Sequence, residues 1–535
     1  MNSVATRQEP DVLSFRQIIV IFSGLILAVM LAALDSTIVT PALPTIVGEL
    51  GGFTHLSWVV TAYLLAQTIV TPIYGKLGDL YGRKIVLQVA IVLFLFGSVI
   101  CGTSQTMNQL ILFRWIQGLG GGGLMVTTQA VVGDIVSPRQ RGRYQGIFGA
   151  VFGLASVAGP LIGGYFTKYW TWRWIFYINL PVGALALGVL AVTLPGRSQR
   201  VQHRIDVAGA SLFAIVLSAL ILVADLGGTE YAWNSPLILG LLATIVIASG
   251  LFVIVEHFAS EPVLPLRLFA NSTFRMTTIL SMVVGFALWG SVTYLPTYLQ
   301  VVREYTPTSS GMQLLPIMGG MLTMSIISGQ IISRTGRYKV FPISGMLLMS
   351  LGMYLISQMP ADVGLVTASF YFLLLGLGMG MVMQVLVIAV QNAVPYRDLG
   401  VATSGAILFR LIGGSIGTAV LGTLFAAQLH HHLERLAPAN DMLKESMARI
   451  TPEALLKMPQ ATREIYLEAF VLAFSSIFLL SAVVATVGFL LAWLIPELPL
   501  KHSIAESART HIGEEAGETF DMPHDPEAAP RQVNS

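Results

Sequence analysis

Charged side chains are scarce in this chain of 535 residues. Asp, Glu, Lys and Arg together make up 11% of it, whereas soluble globular proteins carry roughly 25%. Hydrophobic residues make up 54%, and the mean hydropathy is +0.74. These values exclude an ordinary water-soluble domain and predict an all-α membrane protein whose outer surface faces lipid.

Cysteine and the common catalytic motifs are also nearly absent. The single cysteine, Cys101, lies in an apolar run and excludes an intrachain disulfide framework. The sequence lacks a G-x4-G-K-[ST] phosphate loop, a catalytic triad and metal-ligand spacing. The run His430, His431 and His432 cannot direct three side chains to one ion from a helix. We therefore expect no enzyme activity, no cofactor or metal ion, no direct use of ATP and no nucleic-acid partner.

Long apolar runs dominate the sequence instead. A membrane-spanning helix needs roughly 20 apolar residues, and on that measure the chain contains fourteen, arranged as six, two and six. The expected spans are Arg16–Leu43, Leu56–Gly75, Ile85–Ser104, Gln109–Val136, Tyr144–Tyr169, Trp174–Leu194, Asp206–Asp225, Ser235–Glu256, Met276–Val302, Ser309–Ile332, Phe341–Met359, Gly364–Val390, Val401–Ala427 and Ala469–Leu494.

These runs divide the chain into five parts. We expect an N-terminal tail (1–15), a first six-helix bundle (16–194), a two-helix insert with its linkers (195–275), a second six-helix bundle (276–494) and a disordered acidic tail (495–535). The second bundle includes a polar outer loop (428–468), part of which is expected to be a surface helix because Leu429, Leu433 and Leu436 have helical spacing.

A short polar hairpin between the second and third spans carries the most specific motif. It reads Gly75-Lys76-Leu77-Gly78-Asp79-Leu80-Tyr81-Gly82-Arg83-Lys84. A weaker copy with the same glycine spacing places Gly329, Gly336, Arg337 and Lys339 between two later spans, which indicates a duplicated transporter. The hairpin resembles the signature loop of the major facilitator superfamily, and the fourteen-span count resembles its drug:proton antiporter branch. The resemblance implies a major facilitator fold and transport activity.

Lys and Arg are concentrated in the loops on the hairpin side of the membrane. The other side holds few cations, among them Lys168, Arg173 and Arg303. Positive residues favour the cytoplasmic side, so we expect both termini in the cytoplasm and a multi-pass protein of the cell (inner) membrane.

Three charged residues inside the spans, Asp35, Arg114 and Arg410, are candidates for proton and substrate coupling. Asp35 lies near the end of the first span, in a segment that resembles the first-span motif of the drug antiporters with Thr40 where that motif has Asn. Arg114 lies in an R-x-x-Q-G segment that resembles the fourth-span motif of the superfamily. A rise of 1.5 Å per residue places Asp35 and Arg114 at similar depth, so pairing is open to them. Protonation of Asp35, or a competing cation, would release the pair.

Other residues are expected to control the conformational change. Gly159 and Pro160 belong to a glycine-rich motif that resembles one found in exporters of the superfamily. Arg410, the third coupling candidate, lies mid-span beside a second glycine cluster, where a charge is expected to face the bundle interior. The family resemblance implies that the hairpin holds the two halves together on the cytoplasmic side. The residues assigned to that role are Gly75, Asp79, Gly82, Arg83, Lys84 and Asp134.

A substrate cavity would use polar and aromatic side chains from several spans. The candidates are Tyr63, Gln67, Gln129, Trp289, Tyr294, Tyr298 and Gln384. Most aromatic residues in a membrane bundle serve packing, so for each of these the alternative is a purely structural role.

The sequence therefore predicts a proton-coupled antiporter that exports small amphipathic or cationic drugs by alternating access. Its partners would be the substrate, protons, the lipid bilayer and, in a Gram-negative cell, a periplasmic adaptor protein. Two alternatives stay open: export of an endogenous metabolite, lipid or siderophore, and a membrane sensor that does not transport.

Overall fold

The computed structural model describes residues 14–51, 56–195, 206–228, 231–305, 307–436 and 459–500. Within these ranges the chain is helical and forms no β-strand. The N-terminal tail up to residue 13, the centre of the outer loop (437–458) and the tail from residue 501 lie outside the described residues.

The first half and the insert contain ten helices in the described part. They are α1 (Phe15–Ile38), α2 (Leu43–Leu50), α3 (Leu56–Tyr81), α4 (Arg83–Gly102), α5 (Met107–Ile135), α6 (Pro138–Tyr169), α7 (Trp174–Tyr177), α8 (Asn179–Thr193), α9 (Val207–Leu226) and α10 (Pro236–Phe258).

The second half adds eight helices within the described ranges. They are α11 (Ser272–Val292), α12 (Leu295–Val301), α13 (Pro307–Gln313), α14 (Leu315–Thr335), α15 (Val340–Ser357), α16 (Leu365–Ala393), α17 (Leu399–Leu436) and α18 (Gln460–Ala492). We call the end of the bundle that carries Gly82, between α3 and α4, the hairpin end.

Twelve stretches of the described chain are long and apolar enough to cross a membrane. The chain is therefore a multi-pass membrane protein, but the predicted count of fourteen is not reached by this measure. The helix α5 is not among the twelve, and in α11 the described apolar stretch, Ser272–Leu288, is shorter than the twelve. Gly120 to Gly123 and Arg114 lower the mean hydropathy of α5, although the helix has 29 residues.

Several helix ends differ from the expected spans. The helix α1 stops at Ile38, and α2 starts at Leu43, because Pro41 cannot supply a backbone N–H to a continuing helix, although the apolar stretch runs on to Leu50. The helix α17 continues to Leu436, and α18 already begins at Gln460. Both ends of the expected outer loop are therefore helical. Leu429 and Leu433 are buried one turn apart, which explains why α17 extends beyond the apolar run.

The two halves meet mainly along two pairs of helices. In the first half, α5 packs against α3 and α4, and α1 packs against α6 and α8. In the second half, α17 packs on α11, and α16 packs on α14 and α15. We call the contact of α3 with α17 the first seam and the contact of α6 with α14 the second seam. The insert helix α9 packs on both α3 and α17, so the insert lies beside the first seam.

Candidate functional site

A buried ion pair joins α1 to α5. Arg114 Nη1 donates a hydrogen bond to Asp35 Oδ2 at 2.6 Å, and the side chains are 1% and 0% exposed. These two residues, which were predicted to lie at similar depth, are thus in contact in the structure. An unpaired charge inside a membrane-spanning helix is costly, and this contact lets each charge neutralise the other.

Three uncharged side chains complete the surroundings of the Asp35 carboxylate. Gln117 Nε2 donates to Asp35 Oδ1 at 2.8 Å, and Asn179 Nδ2 donates to the same oxygen at 3.1 Å. Both amides also donate to Ser98 Oγ, at 2.8 and 3.2 Å. The carboxylate therefore accepts hydrogen bonds from α5 and α8, which fixes its position inside the first half.

The guanidinium of Arg114 is held as firmly as its partner. It lies 4.2 Å from the ring centroid of Tyr63, a cation–π contact. Its Nε donates to the backbone carbonyl of Val59 at 3.2 Å, and its Nη1 also donates to Gln117 Oε1 at 2.8 Å. Tyr63, which we expected in a substrate cavity, is 1% exposed and packs on this guanidinium. Breaking the ion pair would therefore disturb α3 and α5 as well as α1.

A second charge cluster lies at the hairpin end. Arg83 Nη2 is 2.8 Å from Asp79 Oδ1, and Arg83 Nη1 is 2.5 Å from Asp134 Oδ1. The guanidinium also donates to the backbone carbonyl of Ala130. The predicted cluster of Asp79, Arg83 and Asp134 is therefore present, and it connects the hairpin to the last turns of α5.

Asp79 reaches across the first seam. Its Oδ1 accepts from the backbone N–H of Gly400, and its Oδ2 accepts from that of Val401, each at 3.0 Å. These N–H groups belong to the first turn of α17, where they have no partner within their own helix. A carboxylate from the first half thus caps a 38-residue helix of the second half, and the helix dipole strengthens this contact.

Glycines let the backbones touch at the first seam. A Cβ placed on Gly75 would lie 2.7 Å from the carbonyl oxygen of Gly400, so a larger residue would force α3 and α17 apart. Gly82 follows with a φ of 90°, a conformation that side chains with a Cβ rarely adopt. The hairpin motif therefore combines a close approach, a tight turn and a helix cap.

The second copy of the hairpin repeats this geometry at the second seam. A Cβ on Gly142 would lie 2.7 Å from the carbonyl oxygen of Gly329, and Gly336 has a φ of 73°. Ser333 stands four residues after Gly329, as Asp79 stands four after Gly75. Its Oγ accepts from the backbone N–H of Arg143 in α6 at 3.2 Å. A neutral hydroxyl thus occupies the place of the Asp79 carboxylate.

Two arginines of α6 also connect the halves. Arg139 Nε and Nη2 donate to the backbone carbonyls of Ser333 and Arg334, at 3.1 and 2.8 Å. Arg141 is buried and donates to the carbonyls of Gly133, in α5, and Gln391, in α16. These bonds satisfy carbonyls near the C-terminal ends of helices, which an arginine does well. The hairpin end is therefore closed by contacts on both seams.

The other residues assigned to conformational control lie apart from these clusters. Gly159 packs against Thr37, two residues beyond Asp35, and Thr37 Oγ1 donates to the carbonyl of Ala155 at 3.2 Å. Pro160 follows inside α6. Lys84, in the first turn of α4, makes no hydrogen bond or ion pair with any described residue.

The expected cavity residues lie in different surroundings. Gln129 is buried with an unpartnered Oε1, and Gln384 is 9% exposed with an unpartnered Oε1. Tyr298 stacks on Phe474 and donates to the carbonyl of Pro360 at 3.1 Å. The remaining candidates are Gln67, which is half-buried in α3, Tyr294, which packs on Phe425, and Trp289, whose side chain is outside the described part.

The contacts and burial of several polar residues in the two halves were not predicted from the sequence. Gln117 belongs to the quoted R-x-x-Q-G segment, but its bond to Asp35 was not foreseen, nor was that of Asn179. Gln145 of α6 is fully buried, and neither amide atom has a hydrogen-bond partner in the structure. A polar residue in the interior of a spanning helix was the available signal. Among the described residues, no group of three His, Cys, Asp or Glu side chains could hold a metal ion.

A family model for the Major Facilitator Superfamily matches residues 25–418. The chain is 43% identical over 481 residues to "Uncharacterized MFS-type transporter Rv1877" of Mycobacterium tuberculosis, covering 90% of this chain and 70% of the relative. It is 38% identical over 459 residues to "Multidrug transporter protein MdtP" of Bacillus subtilis, covering 83% and 85%.

A solved structure with the same architecture is that of the proton:xylose symporter XylE. It superposes with a TM-score of 0.61 at 14% sequence identity and covers 92% of this chain and 99% of that one. At this identity the likeness concerns the fold alone.

Proposed function

Because this chain belongs to the major facilitator superfamily, and is thus a membrane transporter and not an enzyme, we propose that it is a proton-coupled antiporter. It exports small amphipathic or cationic compounds, including drugs, by alternating access. Relatives named as multidrug transporters and efflux pumps support export. The observation that carries the coupling proposal is the fully buried Asp35–Arg114 pair.

The proposed protein has fourteen spans, with α5 and α11 crossing the membrane beside the twelve apolar stretches. The support is that α5, with 29 residues, is long enough to cross, and that it packs between α3 and α4. The hairpin end faces the cytoplasm of the cell (inner) membrane, and both termini lie on that side. A periplasmic adaptor belongs to this proposal only in a Gram-negative cell.

Alternating access requires a closed state that can be released. With the hairpin end closed, Asp79 caps α17, and Arg83 balances its charge. Opening this end would remove the cap and uncover the first turn of α17. The cluster at Asp79, Arg83 and Asp134 is therefore the proposed latch of the outward-facing state.

Coupling follows from the charge balance at Asp35. A proton that reaches the carboxylate would cancel its attraction to Arg114 and would leave that guanidinium with Gln117, Val59 and the Tyr63 ring as neighbours. The resulting movement of α1 and α5 would then change how they pack against the other helices of the first half. A cationic substrate could compete with the same proton for the carboxylate, which gives exchange of one for the other.

The test is ethidium transport driven by a proton gradient in everted vesicles. Wild type is compared with Asp35→Asn and with Glu49→Gln as a matched control, since Glu49 is an acid of α2 whose side chain is exposed although it pairs with Arg173. We expect Asp35→Asn to reduce transport by about tenfold or more and Glu49→Gln to change it by less than about twofold.

Other results would select among the alternatives. Transport that survives Asp35→Asn would keep the exporter and reject Asp35 as the coupling residue. No proton-driven transport by wild type would contradict the drug antiporter and favour an endogenous metabolite, lipid or siderophore as substrate. Absence of flux for those compounds as well would favour a sensor.

A further inference from the structure

Arg410 is an arginine in the interior of a spanning helix with no partner for its charge. It lies eleven residues after Leu399, the first residue of α17, which places it about 16 Å along the helix, near the middle of a hydrocarbon layer of roughly 30 Å. Its side chain is half-buried and makes no hydrogen bond or ion pair with any residue that the structure describes. By contrast, Asp35 and Arg114 cancel each other's charge.

Gln384 lies at the same depth on the neighbouring helix. The antiparallel helices α16 and α17 are joined near the hairpin end by a hydrogen bond of 3.0 Å from Gln391 Nε2 to Thr403 Oγ1. Gln384 and Arg410 each stand seven residues farther from the hairpin end, on the same helical faces. Seven residues correspond to about 10 Å, so the two side chains reach one level, where Gln384 Oε1 also lacks a partner.

The internal repeat shows that this level lies between the halves. Gly142 of α6 and Gly400 of α17 make the same kind of backbone contact with the other half, and their residue numbers differ by 258. The same difference makes Phe152 of α6 the counterpart of Arg410 in α17. Phe152 packs against the cores of both halves. A Cβ on Gly149 would lie 3.4 Å from Gln384 Cγ, so Gln384 also borders α6 of the other half. Because the first half has Phe152 at the position that corresponds to Arg410, helix packing at this level does not require an arginine.

From these observations we propose that Arg410 binds an acidic group of the transported compound and that Gln384 binds an N–H or O–H group beside it. The guanidinium supplies a pair of parallel N–H donors, which match a carboxylate, and the free Gln384 Oε1 supplies an acceptor. The preferred substrates would then be amphipathic compounds that carry a carboxylate or sulfonate, including zwitterions that also bear a cation. This assignment rests on the proposed export function but concerns a group on the substrate and not the proton.

Two dyes that differ only in whether one carboxylate is free or methylated test the proposed site at Arg410. Rhodamine 110 has a free carboxylate, and rhodamine 123 is its methyl ester. Binding to the purified full-length protein in nanodiscs is followed by fluorescence anisotropy for wild type, Arg410→Gln and Arg410→Lys. Arg435→Gln is the control, because Arg435 is an exposed arginine at the far end of the same helix.

We expect Arg410→Gln to raise the Kd of rhodamine 110 by about tenfold and to leave that of rhodamine 123 within about twofold, since a charge-assisted hydrogen bond is lost only for the acid. Arg410→Lys should recover part of the loss, and Arg435→Gln should match wild type. Equal changes for both dyes, no change for either, or a wild type that does not bind rhodamine 110 would overturn the site.

Transport in vesicles made from the same preparations separates this proposal from the function itself. A carboxylate-dependent difference in binding without proton-driven transport would contradict the antiporter and keep the anion site. Proton-driven transport of rhodamine 123 that Arg410→Gln does not change, together with unchanged binding of both dyes, would keep the antiporter and reject the anion site.

Discussion

The two seams at the hairpin end have the same backbone geometry and different chemistry. Each has a pair of glycines in backbone contact and a glycine with positive φ in the hairpin. At the first seam a carboxylate, Asp79, caps the partner helix, while at the second a hydroxyl, Ser333, accepts the corresponding bond. The two seams thus share the shape of the contact and not its charge.

The arginines differ between the seams in the same way. Arg83 is buried between Asp79 and Asp134. Arg337, at the matching place in the second hairpin, is exposed and makes no side-chain ion pair with the described residues. A buried charge cluster responds strongly to the loss of one member, and a neutral contact does not. The first seam therefore has the buried charges expected of the proposed latch, and the second seam is held by contacts that depend less on charge.

The largest predicted difference concerns these two arginines. Arg83→Ala removes the guanidinium from two carboxylates, and breaking a buried pair costs about 3–5 kcal/mol, so we expect proton-driven transport to fall by more than about tenfold. Arg337→Ala should leave it within about twofold. Arg83→Lys, which keeps the charge, tests whether the loss reflects misfolding: it should fold as wild type by gel filtration and retain part of the activity. Equal effects of the two alanine variants would contradict the asymmetry.

Substitution of the contact glycines is expected to lower transport less than Arg83→Ala does, and by a similar factor at the two seams. A leucine at Gly75 or Gly329 would press on the facing backbone, and such overpacking costs about 1–3 kcal/mol. We expect each variant to lower transport by about five- to tenfold. Gly319→Leu is the control on α14, because a Cβ there meets no atom within 4 Å. A strong loss for Gly75→Leu with none for Gly329→Leu would show that the second seam is not in close contact.

The smallest effect is expected at Ser333. Ser333→Ala removes one neutral hydrogen bond, worth about 0.5–1.5 kcal/mol, and should change transport by about twofold or less. Ser333→Asp would give the second seam the charge of the first. Since Arg139 lies against this turn, the new carboxylate would strengthen the closed state and slow turnover. Faster turnover of Ser333→Asp would contradict this interpretation.

The positions of the buried charged residues could be predicted from the sequence, whereas the uncharged residues that contact them could not. The depth of Asp35 and Arg114 follows from residue counting, and the hairpin motif located Asp79, Arg83 and Asp134. The neutral partners of Asp35 were not identifiable, because an amide in a spanning helix gives no sign of its direction. Ser333 was missed for a related reason: the glycine spacing of the second hairpin was recognised, but a serine alone does not indicate a helix cap.

Helix ends were predicted least well where polar residues continue a helix. The apolar run of α17 ends near Ala427, yet the helix continues because Leu429 and Leu433 still face the core. A run of high hydropathy marks only the part of a helix that crosses the membrane. Polar helical turns beyond the membrane are therefore predicted to be loop. The helix α5 falls outside the twelve apolar stretches for a different reason, because its glycines and Arg114 lower its mean hydropathy.

The most direct test of the latch measures thiol accessibility at the two seams in nanodiscs. In a Cys101→Ser background, Ser404→Cys reports the first seam, where Ser404 faces Gly75, and Ser325→Cys reports the second, where Ser325 bonds to Gly146. The account predicts that Asp79→Asn raises maleimide labelling at position 404 by about tenfold, from the loss of a charged cap, and raises labelling at 325 far less. Unchanged labelling at 404, or an equal rise at both positions, would contradict the assignment of Asp79 as the latch.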